Sequence, residues 1–175
     1  GRGPAAPPGM SGPLAGLRVL DLGTRIAAPF CAGLLGEQGA EVIKIEQPGS
    51  GDFMREIGPF ADTDDGAYSL FWAVEGRGRK SVTLDLRQAE GQALLRRLAE
   101  TADVLVENFR PGTLEKWNIA PGALPDRLVT VRISSFGQDG PNAKRPGLDR
   151  VGIGFGGLMP LTGYPDRPPV RAGVT

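Results

Sequence analysis

Side chains that can contact a charged ligand stand in the segments that follow the predicted strands of this chain. The carboxyl ends of parallel strands meet at one edge of a sheet, and ligands commonly bind in the crevice there. The loops at that edge supply Arg25, Gln47, Arg87, Asn108, Phe109 and Arg110. Three further cations can join them, namely Lys116, Lys144 and Arg145. This cationic set with one aromatic ring suits a ligand that carries phosphates and a flat base.

The residue types also limit the chemistry. The chain contains no histidine, which excludes within it a Ser-His-Asp triad, a Cys-His pair and a histidine metal site. Acid–base or nucleophilic work then falls to carboxylates, lysine or tyrosine, and we predict no metal site. The glycine fingerprint of dinucleotide-binding folds is absent, because Ala27 and Ala28 follow Gly23 where glycines are needed, and a Walker A pattern is absent too. We therefore expect side chains, rather than a glycine-rich loop, to hold phosphates.

The segment 17–46 predicts the unit that positions this crevice. Leu17–Leu22 is a short apolar run typical of a strand, and Pro29 stands where a helix can begin. Gly36 and Gly39 are expected to end that helix, and Glu41–Glu46 is a second apolar run. A strand, a helix and a strand in so short a length form a βαβ unit, so the two strands should be parallel neighbours.

The rest of the chain continues the alternation of strands and helices. We predict strands over 81–86, 103–107 and 128–134, short helices over 68–75 and from Thr113, helices over 87–101 and 147–159, a surface loop over 47–68, and the start of a strand at 170–175. This pattern indicates an α/β fold, an open parallel Rossmann-like sheet with helices on both faces.

Several charged residues have a purely structural interpretation. Asp21 ends the first strand and is expected to cap the following turn. The run Arg77, Arg79 and Lys80 is expected to be a solvated turn. Asp149 either caps the helix that follows it or lies at an active centre.

Composition sets the class of protein and its partners. The 175 residues fit one domain with a sizeable core, apart from a Gly- and Pro-rich segment at 1–12 that we expect to be a disordered leader or an expression remnant. The 20 basic and 20 acidic residues cancel, so we predict neither a nucleic-acid nor a membrane partner. There is no apolar run of about 18 residues, and we predict no signal peptide. The one cysteine suits a reducing compartment, and we expect a cytoplasmic protein.

Six segments, in order, resemble class III coenzyme A transferases, the group that includes formyl-CoA transferase, carnitine-CoA transferase and α-methylacyl-CoA racemase. The segments are GPLAGLRVLDLG (12–23), GAEVIKIEQPGSGD (39–52), KSVTLDL (80–86), ADVLVENFRPG (102–112), SSFGQDGP (134–141) and PGLDRVGIGFGGLMPLTG (146–163). They cover nearly the whole chain beyond residue 11, which makes the resemblance specific.

The resemblance implies a CoA-binding large domain, of which 13–175 is the N-terminal part, and an obligate homodimer of two interlocked chains. Coenzyme A, a substrate and not a covalent cofactor, would lie along the strand-end loops. The matching coenzyme-contacting positions are Ile26, Ala27, Gln47, Leu84, Asp85, Arg87, Asn108, Phe109, Arg110 and Lys116, with Lys144, Arg145 and Asp149 beside the reacting end. Arg25, from the crevice loops, completes the predicted coenzyme-binding set. One departure is Gln47, which stands where the family commonly has an arginine.

The resemblance also implies a reaction. CoA moves from an acyl-CoA thioester to a carboxylic acid through an aspartyl-CoA intermediate, and Asp149 is an auxiliary catalytic residue. The nucleophilic aspartate of the family is expected about three positions beyond Thr175, so the 175-residue chain alone should be inactive.

Two alternatives remain open at the level of sequence. One is an isomerase like α-methylacyl-CoA racemase, which is disfavoured because Leu148 stands where racemases have a histidine before the aspartate. The other is a non-catalytic module that binds CoA or another nucleotide.

Overall fold

The structure is a computed structural model, and it describes residues 12–170 and residue 173. The described residues form two compact units, one that ends at Ile133 and one that begins at Ser134. The leader expected at 1–12 lies outside the described residues except for Gly12, and so does most of the strand expected at 170–175. None of the helices in the described part is long and apolar enough to cross a membrane.

The elements alternate as the sequence predicts. The strands are β1 (Arg18–Asp21), β2 (Glu41–Glu46), β3 (Phe60–Thr63), β4 (Gly66–Ser69), β5 (Lys80–Thr83), β6 (Val104–Glu107) and β7 (Val129–Arg132). The helices are α1 (Ala27–Glu37), α2 (Leu70–Glu75), α3 (Ala89–Ala99), α4 (Thr113–Lys116) and α5 (Asp149–Phe155).

Five strands form one parallel sheet in the order β5-β2-β1-β6-β7. β1 is central and pairs with β2, with Val19 opposite Val42, and on its other side with β6. The predicted βαβ unit and the open parallel sheet are confirmed. Strand order reverses beside β1, so the carboxyl ends of β1, β2 and β6 border the crevice where α/β proteins bind ligands.

The two faces of this sheet carry two separate cores, because successive side chains of a strand point to opposite faces. Leu20 and Leu105 belong to the core that includes Leu95 of α3, which we call the α3 face. Val19 and Val106 belong to the core that includes Ala32 of α1, which we call the α1 face. Helices therefore cover both faces, as predicted.

Helix α1 ends at the second of the two glycines expected to stop it. Gly39 adopts a φ of +102°, and its N–H donates to the Gly36 carbonyl, so it ends the helix as expected. Gly36 lies inside the helix instead of ending it. A Cβ there would lie 3.1 Å from Val42 Cγ2 on β2, so its small size serves helix–sheet packing.

Other boundaries need correction. The expected surface loop over 47–68 contains the hairpin β3–β4, whose strands pair antiparallel around Asp64 and Asp65. Its four-residue strands are mostly exposed and lack an apolar alternation, so the pattern resembles a loop. Strand β5 ends at Thr83 instead of 86, and the helix expected over 147–159 is limited to α5 and a separate 3-10 turn at Met159–Leu161. Leu148, not Asp149, occupies the N-cap position of α5.

Candidate functional site

A cavity of about 200 Å³ opens at the carboxyl edge of β1, β2 and β5, with residues that follow β6 on its border. It is lined by Leu22, Gly23, Thr24, Ile45, Glu46, Gln47, Gly51, Asp52, Leu84, Asp85, Leu86, Arg87, Phe109 and Trp117. The lining thus includes Gln47, Leu84, Asp85, Arg87 and Phe109, which the resemblance marks as coenzyme contacts. The structure brings these five residues to one place from three separate strand ends.

The apolar part of the lining belongs to the α3 face. Leu22, Ile45, Leu84 and Leu86 are members of that core, and Phe109 and Trp117 pack against it. The rings of Phe109 and Trp117 meet edge to face, with centroids 5.1 Å apart and planes at 73°. Such a pair presents a flat, rigid apolar surface to a ligand.

Trp117 is a lining residue that the sequence patterns do not predict. It directly follows α4, a short helix whose first residue, Thr113, comes soon after Glu107, the last residue of β6. Trp117 therefore reaches the cavity from the same strand end as Phe109. The signal that could have identified it is an aromatic residue directly after a short helix at the carboxyl edge of the sheet.

The polar rim of the cavity contains a cation and an anion that pair with each other. Arg87 donates to both carboxylate oxygens of Asp85, at 2.8 and 3.1 Å. Hydrogen bonds from Arg87 lower the pKa of Asp85, so the carboxylate stays ionised beside the guanidinium. Gln47 is exposed directly after β2. This rim offers both a cation and an amide to a ligand.

The loop after β1 is held by Asn108. The Asn108 side chain accepts from the Thr24 N–H at 2.9 Å and donates to the Thr24 carbonyl at 2.8 Å. Arg25 follows with a φ of +64°, and its guanidinium carbon lies 4.2 Å from the centre of the Phe53 ring. The structure therefore gives Asn108 and Arg25 contacts with the protein that shape the cavity border.

The other predicted positions of this unit surround the same edge without lining the cavity. Ile26 occupies the N-cap position of α1, and Ala27 is the first residue of that helix. Arg110 is exposed after β6, and Lys116 is the exposed last residue of α4.

The second unit contains the remaining predicted residues. Lys144 and Arg145 are exposed in the turn that precedes α5, and Asp149 is the first residue of α5. The Arg145 N–H donates to the Asn142 carbonyl at 2.9 Å.

Glu46 is a buried carboxylate of the lining that the sequence patterns do not single out. Burial alone would raise its pKa, but hydrogen bonds from Arg55, from Ser81 and from the Asp52 N–H lower the pKa to about 2. Arg55 in turn lies over the Trp72 ring, with its guanidinium carbon 4.0 Å from the ring centre. Glu46 is therefore a fixed anion that anchors the segment after β2.

A cluster of buried charges lies under the loop after β1. Asp21 is fully buried; its side chain accepts from the Gly23 N–H at 3.0 Å, which confirms the predicted turn cap. It also pairs with Arg79 at 2.6 Å, and the Arg79 side chain is only 2% exposed. The prediction that Arg79 lies in a solvated turn is wrong, because its guanidinium crosses to α1 and donates to the Pro29 carbonyl. Burial raises the pKa of Asp21.

Within the described residues, no group of three or more cysteine, aspartate or glutamate side chains is arranged to hold a metal ion. The lining instead combines an apolar floor with a mixed polar rim. That arrangement suits an extended organic ligand with a flat ring and charged groups.

Comparisons with known proteins agree with this chemistry. A sequence model described as CoA-transferase family III matches residues 14–175. The succinyl-CoA–D-citramalate CoA-transferase of Chloroflexus aurantiacus is 48% identical over 166 residues, covering 93% of this chain and 40% of that protein. The succinate–glutarate CoA-transferase of Agrobacterium fabrum is 39% identical over 173 residues, covering 95% of this chain and 43% of that protein.

A solved structure is similar in fold as well. The crystal structure of a CAIB/BAIF family protein from Brucella suis has a TM-score of 0.86 and 40% identity, covering 93% of this chain and 44% of that one. The chain spans about 40% of the length of the curated relatives it matches.

Proposed function

The chain belongs to CoA-transferase family III, and from that membership we propose that the whole protein moves coenzyme A from an acyl-CoA thioester to a carboxylic acid. In this proposal the described residues bind the coenzyme at the carboxyl edge of the sheet. The reacting carboxylate is an aspartate downstream of Thr175, and Asp149 assists it.

One observation carries the binding part of the proposal. The cavity joins an apolar floor with the Phe109–Trp117 pair to a rim that contains Gln47 and Arg87. Coenzyme A has a flat base, phosphates and a long amide-containing arm, and each part has a complementary surface here. Five residues of the predicted coenzyme set line this one cavity, which supports the placement.

The proposed reaction balances without a redox cofactor. The aspartate carboxylate attacks the thioester carbonyl, the C–S bond breaks, and an acyl-aspartyl anhydride and a CoA thiolate form. The thiolate attacks the aspartyl carbonyl, which releases the donor acid and leaves an aspartyl-CoA thioester. The acceptor carboxylate then repeats both steps in reverse and leaves as the new acyl-CoA.

The names of the relatives guide the proposed substrates. One similar protein is named for succinyl-CoA and D-citramalate, and another for succinate and glutarate. We propose a dicarboxylic acid as the acceptor and the CoA thioester of a dicarboxylic acid, such as succinyl-CoA, as the donor. We further propose an interlocked homodimer in the cytoplasm; light scattering of the purified full-length protein tests the dimer.

The decisive experiment uses the full-length protein with succinyl-CoA and a panel of isotopically labelled dicarboxylic acids. We expect labelled acyl-CoA to form, and hydroxylamine to trap the aspartyl thioester as a protein-bound hydroxamate detected by mass spectrometry. Exchange of the substrate α-proton with deuterated water, without any transfer of CoA between acids, would instead indicate an isomerase. Binding of CoA without either reaction would indicate a non-catalytic module.

A further inference from the structure

Lys44 is a buried lysine on an interior strand of the sheet. It lies on β2, its side chain is 1% exposed, and its ammonium donates to the Gly23 carbonyl in the loop after β1. Its Nζ also lies 3.2 Å from Asp52 Oδ2 and 3.7 Å from Asp21 Oδ1. A buried ammonium is costly unless it is paired and hydrogen-bonded. The Gly23 carbonyl and the two carboxylates meet both requirements for Lys44.

Asp52 completes the arrangement from the segment after β2. Its side chain is 1% exposed, and its Oδ1 accepts from the Arg25 N–H at 3.3 Å and from the Met54 N–H at 2.9 Å. Lys44 and Asp52 therefore hold neighbouring parts of one loop, the carbonyl of Gly23 and the amide of Arg25. Both Gly23 and Asp52 line the cavity.

We propose that Lys44 and Asp52 are positioning residues, a buried ion pair that fixes the loop Gly23–Arg25 in the conformation that accepts the coenzyme. The proposal rests on the proposed function for the identity of the ligand. Lys44 has almost no exposed surface, so it acts on the ligand through the loop and not by contact. Asp52 Oδ2, which has no hydrogen-bond donor among the described residues, is oriented by the charge of Lys44.

The experiment compares two variants of the full-length protein with one matched control. Lys44→Met removes the charge and keeps an unbranched side chain of similar length. Asp52→Asn keeps an oxygen acceptor for the two amides but removes the attraction to Lys44. The control is Glu41→Gln, on the same strand β2, which removes the pairing of Glu41 with Arg18 on β1 and with Lys80 on β5. These pairs are partly exposed, and Glu41 stands at the other end of β2 from the cavity.

Two measurements separate positioning from general stability. Hydrogen exchange followed by mass spectrometry compares a peptide over 22–28 with a peptide over 89–99 in α3. Calorimetric titration and steady-state kinetics then give the Kd for CoA and the KM for acyl-CoA. We expect faster exchange in 22–28 alone, a Kd and KM for the coenzyme raised roughly tenfold, and a kcat close to wild type; the control should change none of these.

The outcomes are distinct. Unchanged exchange in 22–28 together with an unchanged Kd in Asp52→Asn overturns the proposal, even if Lys44→Met fails to fold. A lower melting temperature and kcat with an unchanged KM also overturns it, because that is the result of a merely structural pair. If the wild-type protein does not bind CoA, the proposed function fails, while the exchange of 22–28 still decides whether the pair fixes the loop.

Discussion

The two faces of the five-stranded sheet are packed by different chemistry. On the α3 face, Leu20 and Leu105 are fully buried in a core made of apolar side chains. On the α1 face, small apolar residues share the space with Asp21 and Lys44, and Arg79 crosses from the segment before β5 to join them. Apolar packing forms the floor of the cavity, and the buried charged groups hydrogen-bond the loop that follows β1.

This difference matters for precision. Apolar packing is non-directional and tolerates exchange of side chains of similar volume. A buried ion pair gains net stability only when its geometry is good and its remaining hydrogen-bonding groups are satisfied. The charged cluster therefore fixes the positions of backbone atoms near the cavity more strictly than the apolar floor does.

The largest expected effect comes from removing Arg79. Arg79→Met leaves Asp21 fully buried with one cation fewer and removes the donor to the Pro29 carbonyl. We expect the free energy of unfolding at neutral pH to fall by about 3–5 kcal/mol, measured by urea denaturation. Burial already raises the pKa of Asp21, and losing Arg79 raises it further, so the loss should be smaller in acid, where Asp21 is protonated, than at neutral pH.

A neighbouring arginine supplies the control. Arg77 pairs with Glu37, but the two side chains are 37% and 46% exposed. Arg77→Met should lower stability by no more than about 1 kcal/mol. Equal losses in the two variants would show that the burial of Arg79 does not matter and would remove the distinction between the two faces.

The next effect concerns the carboxylate that ends β2. The pKa of Glu46 in the folded protein is about 2, below the ordinary value of 4.5. Its contribution to the free energy of unfolding is therefore present above pH 4.5 and is lost as the pH falls through 2. The full shift corresponds to about 3 kcal/mol; because Arg55 is 38% exposed and water screens the pair, we expect about 1–2 kcal/mol. Glu46→Gln should show this loss at neutral pH and a flatter acid limb in denaturation across that range.

Glu75 at the end of α2 provides a comparison of opposite sign. Burial raises the pKa of the Glu75 carboxyl group above 4.5. Its favourable contribution to the free energy of unfolding is therefore present below that pH and is lost as the pH rises through the folded pKa. Glu75→Gln should therefore increase stability at neutral pH. A decrease comparable to that of Glu46→Gln would contradict the raised pKa of Glu75.

The apolar face is readable from sequence, and the charged one is not. Runs of apolar residues at strand and helix spacing predict β1, β2, β6 and α3 because burial imposes those periods. Lys44 and Asp21 interrupt such runs, and their ion-pair partners come from distant segments of the chain. The local sequence pattern therefore does not predict which charged residues pair. Arg79 resembles a solvated turn beside Arg77, and only the tertiary fold separates the two.

The candidate site divides in the same way. The parallel topology identifies the edge that carries Gln47, Arg87 and Phe109 because strand ends must meet there. It does not reveal that Asn108 bonds the loop after β1, or that Trp117 packs on Phe109, since these depend on side-chain direction in short loops. The hairpin β3–β4 escapes prediction for a related reason: exposed strands carry no burial period.

A smaller effect tests the apolar floor. Phe109→Leu, Trp117→Leu and the double variant form a cycle that isolates the edge-to-face contact. We expect a coupling free energy of about 0.5–1.5 kcal/mol in urea denaturation, together with weaker CoA binding in each single variant. Additive single effects would mean that the two rings contribute only as separate apolar surfaces.

The smallest effect on stability is expected at the exposed rim, where binding and stability should separate. Arg87 and Asp85 pair in solvent, and such pairs contribute little to folding because water screens them. Arg87→Gln should leave the unfolding curve unchanged. In the proposed complex it should weaken CoA binding and reduce its dependence on salt, because it removes one cation that we expect to lie near the phosphates. Asp85→Asn is the matched control, which frees Arg87 from its carboxylate and should strengthen binding at low salt. If Arg87→Gln alters stability but not the salt dependence of the CoA titration, the rim is structural, and the phosphates must be sought on other cations of the same edge.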